Sequence, residues 1–171
     1  MSFQRSIDLI RQLLERVVAP GIEAEQAELK AACERSVVEW RWATECMEPF
    51  NPHDSRVLAA PRPRWLKTEP KEYGTRHGLD RNGQIQIAYV YQQSHNDPPY
   101  DPHFYVYEPT GFSMVLFKLN EGELQRHIAW HEFEEDRWIR TLNVSFERSI
   151  EQELTWRDGK LLSYTRRFWQ N

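Results

Sequence analysis

Four of the seven glycines, Gly83, Gly111, Gly122 and Gly159, stand immediately before runs in which apolar and polar residues alternate. These runs are QIQIAYVY, FSMVLF, ELQRHIAW and KLLSYTRRFW. A period of two places successive side chains on opposite faces of a strand. Glycine takes the left-handed backbone of a tight turn without a Cβ penalty. The second half of the chain is therefore constrained to be a succession of hairpins. A three-residue loop ending in a left-handed glycine suits Gly111, Gly122 and Gly159. The other glycines, Gly21, Gly74 and Gly78, read as helix or loop punctuation.

The first 35 residues have a different period. Ser2 can cap a helix in which Ile7, Ile10, Leu13, Leu14, Val17 and Val18 form one stripe, stopped by Ala19-Pro20-Gly21. IEAEQAELKAACER, rich in Ala, Glu and Leu, predicts a second helix with Ile22, Leu29, Ala32 and Cys33 near one another. From Ser36 the period becomes two, with Val38, Trp40, Trp42, Thr44 and Cys46 alternating with polar residues, so a strand follows. Pro49, Pro52, Pro61, Pro63 and Pro70 then exclude long regular structure, leaving room for one short strand at Arg56 to Ala60. Arg62, Arg64, Lys67, Lys71 and Arg76 outnumber Glu69 and Glu72, which reads as a solvated loop rather than a phosphate-seeking patch.

At 171 residues the chain suits one domain, with a helical segment at 1–35 and a meander over 36–171. The predicted class is α+β. Two helices precede seven to nine antiparallel strands, rolled into a barrel or left as a strongly curved sheet, the rolled form being favoured because two short helices cannot cover so long an apolar face. A net charge of −4 with 40% hydrophobic residues describes a folded, mildly acidic protein. That balance argues against nucleic acid as a partner, and the longest uncharged apolar run, Met114 to Phe117, is too short for a bilayer. The N-terminus carries charges every few residues and does not read as a secretory signal, so the expected compartment is the cytoplasm. Cys33 and Cys46 lack the spacing of a disulfide framework or zinc knuckle and read as small buried side chains.

Loop lengths fix which residues face each other. Three-residue loops set Leu116 opposite Arg126, Met114 opposite Ile128 and Phe112 opposite Trp130. Continuing, Trp130 meets Arg140, Ile128 meets Leu142, Leu142 meets Leu154 and Arg140 meets Trp156. The last hairpin pairs Leu154 with Leu162 and Gln152 with Tyr164. The resulting face is apolar and aromatic but includes Arg126, Arg140, Arg166 and Gln152. An arginine does not lose its charge on burial, so it needs an anion, hydrogen-bond acceptors or an aromatic face. With Trp130, Trp156 and Tyr164 as walls, these residues suggest a pocket for a small amphipathic or anionic ligand such as a carboxylate. The competing reading has the arginines at strand ends, reaching solvent across tryptophan faces.

His127 and His131 would share a metal on a helix, with Glu132 adjacent, but QRHIAWHEF alternates like a strand. There they stand about 13 Å apart, too far for one ion, so no metal is expected. His103, Tyr105 and Tyr107 share one strand face, and His53 neighbours Asp54; either histidine could be an acid–base group, although no nucleophile is placed beside them. The chain has no G-x-S-x-G, Walker loop, G-x-G-x-x-G or H-E-x-x-H, so no cofactor and no catalytic residue is assigned. An enzyme built on one of the histidines without a local motif remains a third reading.

The unit of an asparagine or acid, glycine, x and Ile/Leu, then an aromatic a few residues on, recurs at Gly83, Gly122 and Gly159. It resembles the short hairpin repeats of bacterial antitoxin and immunity proteins. The leading expectation is a non-catalytic binding protein. The alternative, in the manner of an immunity protein, is a module that binds a protein partner through the acidic hairpin Glu132, Glu134, Glu135 and Asp136 and exposed aromatics.

Overall fold

The computed structural model describes residues 3–47, 63–71, 73–91, 100–120, 123–134, 137–157 and 160–170. Two helices, α1 (Phe3–Val18) and α2 (Ile22–Ser36), come first. Ten strands follow among the described residues: β1 (Glu39–Ala43), β2 (Trp65–Leu66), β3 (Gly74–Leu79), β4 (Ile85–Tyr91), β5 (Tyr100–Glu108), β6 (Gly111–Asn120), β7 (Glu123–Glu134), β8 (Arg137–Val144), β9 (Arg148–Arg157) and β10 (Lys160–Gln170). The fold is α+β, and the strand over His127 and His131 holds. The hydrogen-bonded order runs β10-β9-β8-β7-β6-β5-β4-β3-β1-β2, so β10 and β2 are end strands and the expected barrel does not close. The short strand expected at 56–60 and the His53–Asp54 pair lie outside the described residues. Among those described, no helix is long and apolar enough to cross a membrane.

The chain divides into two compact units. One comprises residues 1–26 and 106–171, the other 27–105. In the first, the apolar stripe of α1 does what its spacing predicts, although with fewer members. Ile10, Leu13 and Val17 are buried against Ile128, Trp130, Leu142 and Val144 of β7 and β8. Burial of each such side chain is worth about 1.5–3 kcal/mol, which fixes the helix to the sheet. Val18 escapes the stripe and is exposed.

In the second unit, Trp40 stacks on Tyr89 at 5.8 Å and carries the Arg76 guanidinium 4.6 Å above its ring. The Tyr89 hydroxyl donates to Glu34 of α2 at 2.5 Å. Cys33 is the one buried residue of α2, in keeping with a sequence that lacks a strong apolar stripe. Gly83, with φ +77°, closes the β3–β4 turn, where Asp80 Oδ1 accepts from the amides of Asn82 and Gln84. Gly74 and Gly78 lie inside β3, not in a loop. Gly111 is also a strand glycine: a Cβ there would lie 2.0 Å from the His131 carbonyl oxygen, so close backbone approach, not a turn, excludes a side chain.

The strand registers depart from the three-residue loops in an informative way. Asn120 pairs with Glu123 across a two-residue connection, which sets Phe117 opposite Arg126, Val115 opposite Ile128 and Ser113 opposite Trp130. That is a slip of one residue, which exchanges the faces of β6 relative to β7. Between β7 and β8 the slip is two, so the face is kept: Trp130 meets Leu142 and Glu132 meets Arg140. Val144 then pairs with Ser149, so Leu142 meets Glu151 and Arg140 meets Glu153. This second odd slip replaces the expected Leu154 and Trp156 with carboxylates. At the last hairpin Gln152 pairs with Arg166 and Leu154 with Tyr164, beyond an irregularity between Leu161 and Ser163.

Two buried imidazoles make the fold acid-sensitive. Burial pushes both His77 and His131 down to about 4. An unfolded histidine titrates near about 6.5, so between that value and 4 the unfolded chain binds more protons than the folded one. Stability is thus fully present above the unfolded value and falls as pH drops toward 4, by up to about 1.4 kcal/mol per pH unit for each histidine. Denaturant unfolding between pH 7 and pH 5 should show this slope, and His131→Asn should remove a substantial part of it. An unchanged slope in the variant would contradict the assignment.

Candidate functional site

Among the described residues, Arg140 heads the large, fully buried side chains, at 1% exposure. Such a charge costs several kcal/mol to desolvate unless it is paired and hydrogen-bonded. The pairing comes from its neighbours in the sheet and from α1. One guanidinium nitrogen, Nη2, is ion-paired with Glu132, its cross-strand partner. Nη1 donates to Ser6 Oγ at 3.3 Å and lies 3.9 Å from Glu151. Ser6 Oγ in turn donates to Glu151 at 2.5 Å, and Arg5 Nη2 donates to Glu132 at 2.9 Å. Arg167 of β10 completes the row, at 2.9 Å from Glu151 and 3.0 Å from Glu153. Three guanidiniums (Arg5, Arg140, Arg167) thus meet three carboxylates (Glu132, Glu151, Glu153), leaving the row neutral.

Arg126 serves the other end of α1. It is 3% exposed, donates to the carbonyls of Arg16 and Ala19 and pairs with Glu25 at the start of α2. The last carbonyls of a helix lack intrahelical donors and carry partial negative charge, so a cation there caps the helix twice over.

The row lies at the wall of a half-open cleft of about 440 Å³. Gln4, Arg5, Asp8, Leu9 and Gln12 of α1 form one side, with Thr110, Trp130, Glu132 and Arg140 opposite. Arg140 and Trp130, two of the residues expected around a ligand, therefore do share a cavity. Arg140 Nε is buried without a hydrogen-bond partner.

The other expected residues do not converge on it. Gln152 and Arg166 pair on the sheet face opposite Arg140, where Arg166 is exposed with its guanidinium 5.0 Å above Phe168. Trp156 is the ladder partner of Leu161 and Tyr164 of Leu154; their side chains are outside the description. Of the acidic hairpin, Glu132 is buried and ion-paired, Glu134 is exposed, and Glu135 and Asp136 lie outside the described residues. The strand-end alternative does not describe Arg126 or Arg140, which are both interior.

Arg5, Ser6, Glu151, Glu153 and Arg167 were not singled out in the sequence. One signal was available: Glu151 and Glu153 alternate with Ile150, Gln152 and Leu154, so one face of that strand is acidic. Demanding a carboxylate for the buried Arg140 would have selected that face. Set against protein-family models, curated proteins and solved structures, the chain matches none.

Removing the Arg140 charge leaves the buried Glu132 and Glu151 with only the more exposed Arg5 and Arg167 as counter-charges. Arg140→Met should therefore cost about 3–5 kcal/mol in urea unfolding. Arg166→Ala, at an exposed site, should stay within about 0.5 kcal/mol. Equal effects would contradict the placement of the two arginines.

Proposed function

We propose that the protein is a cytoplasmic binding module that holds a small amphipathic ligand in the cleft beside α1. The observation that carries this reading is the cleft of about 440 Å³ itself, in which apolar Leu9 and Trp130 stand beside the ion-paired Arg5, Glu132 and Arg140. Small-molecule sites fall in the range of about 300–1,000 Å³ and combine apolar walls with a few placed polar groups. Here Leu9 and Trp130 give the apolar wall, Gln12 and Thr110 give adaptable hydrogen bonding, and a carboxylate or neutral oxygen of the ligand meets the exposed Arg5 guanidinium on the same lining. Because the charge row is already balanced, a ligand with one acceptor group fits better than a multiply charged anion.

Native mass spectrometry of the protein purified from its own cells tests this. Gln12 is exposed on α1, so Gln12→Trp fills the cleft without disturbing the ion pairs. A bound small molecule in the wild type that is absent from Gln12→Trp is the expected result; a bare wild-type chain would overturn the reading. A second reading, a protein partner of immunity type, is favoured by the exposed aromatics Phe146 (63%) and Phe168 (66%), and a co-purifying protein retained by Gln12→Trp would select it.

A further inference from the structure

In the unit formed by residues 27–105, the chain leaving β1 carries Cys46 to the face of β5 that presents His103 and Tyr105. The half-buried Cys46 Sγ lies 3.3 Å from His103 Nδ1 and 3.4 Å from the Tyr105 hydroxyl. His103 and Tyr105 stand two residues apart on a strand, which is why one thiol reaches both. The position is fixed from behind. The amide of Met47 donates to Nε2 of fully buried His77 at 2.8 Å, and Trp65 packs edge-on against that imidazole at 5.2 Å. Burial keeps His77 neutral, so its ring nitrogen serves as the acceptor.

Cys33 offers an internal comparison. It is also buried, but desolvation is the dominant influence and pushes its thiol up, as for an inert structural cysteine. Cys46 instead has a base and a hydroxyl at hydrogen-bond distance, the surroundings that turn a thiol into a thiolate. It also has access to a cavity. A cleft of about 290 Å³ is lined by Cys46 together with Tyr73, Val90 and Tyr91 as largely apolar walls and by Thr44 and Thr75. Glu45, on the same lining, disfavours an anionic guest.

We propose that Cys46 is a nucleophile, with His103 as its general base and Tyr105 as a hydrogen-bond donor to the thiolate, accepting an acyl group from an uncharged ester or thioester in this cleft. With the proton of neutral His103 on Nε2, Nδ1 takes the proton of the thiol. The thiolate sulfur bonds to the carbonyl carbon, the bond from that carbon to the leaving oxygen or sulfur breaks, and the imidazolium returns its proton to the departing group. The products are an acyl thioester on Cys46, a neutral His103 and a free alcohol or thiol. No oxidant, reductant or metal enters the balance.

The test uses p-nitrophenyl acetate as the acyl donor and iodoacetamide as a reporter of thiolate. In the wild type, peptide mapping should find one acetyl group on Cys46 and none on Cys33. Alkylation of Cys46 should persist below pH 7, and His103→Asn should slow it about tenfold near pH 6 while restoring the profile of an ordinary thiol, centred near about 8.5. Tyr105→Phe should give a smaller loss in the same direction. Failure of Cys46 to acetylate, or a wild-type alkylation profile centred near 8.5, would overturn the proposal, and both are read without any variant.

Discussion

The fold depends on a charge that has nowhere else to go. Arg140 places a guanidinium in the middle of β8 at 1% exposure, so everything within reach must be arranged to meet it. β7 supplies Glu132 from directly across the ladder, β9 supplies Glu151, and Ser6 of α1 bridges to the latter. Because Arg5 and Ser6 are adjacent, the first turns of α1 are held at a defined place on the sheet. Hydrophobic burial of Ile10, Leu13 and Val17 is stronger in total but non-directional, and would tolerate a helix that slides or rotates. The ion row supplies the position, and Arg126 fixes the opposite end by taking the carbonyls of Arg16 and Ala19.

This arrangement also makes the cleft. A helix docked only through apolar contacts would close onto the sheet along its length. Here the polar beginning of α1 meets polar partners on β7 and β8, and space remains beside Trp130 and Arg140. The element that secures the fold and the candidate binding wall are the same side chains, so substitutions at Arg140 act on both. Substitutions on the exposed side of α1 separate them.

Much of the fold was legible because it rests on period. The α1 stripe, the switch to alternation before β1 and the strand through His127 and His131 all follow from spacing. What failed was parity. Two-residue connections at 121–122 and 135–136, and the short turn after Val144, shift registers that three-residue loops would have kept, and an odd slip exchanges every side chain between faces. Arg126, Trp130 and Arg140 survived as a group because the slip between β7 and β8 is even. Gln152 and Arg166 were lost from it because the slip at β9 is odd. Cys46 was illegible for another reason: it lies 57 positions from His103, and no local pattern reports a contact made through the pairing of β1, β3, β4 and β5.

The most direct measurement is a double-mutant cycle between Glu132 and Arg140, using Glu132→Gln, Arg140→Met and the pair, read by urea unfolding. If the buried row positions α1, each single change strands a charge that the double change removes. The cycle should then close with a coupling of about 1–3 kcal/mol, the double variant being less destabilised than the sum of the singles. Additive effects within about 0.5 kcal/mol would show that the two charges do not depend on each other, and the account would fail.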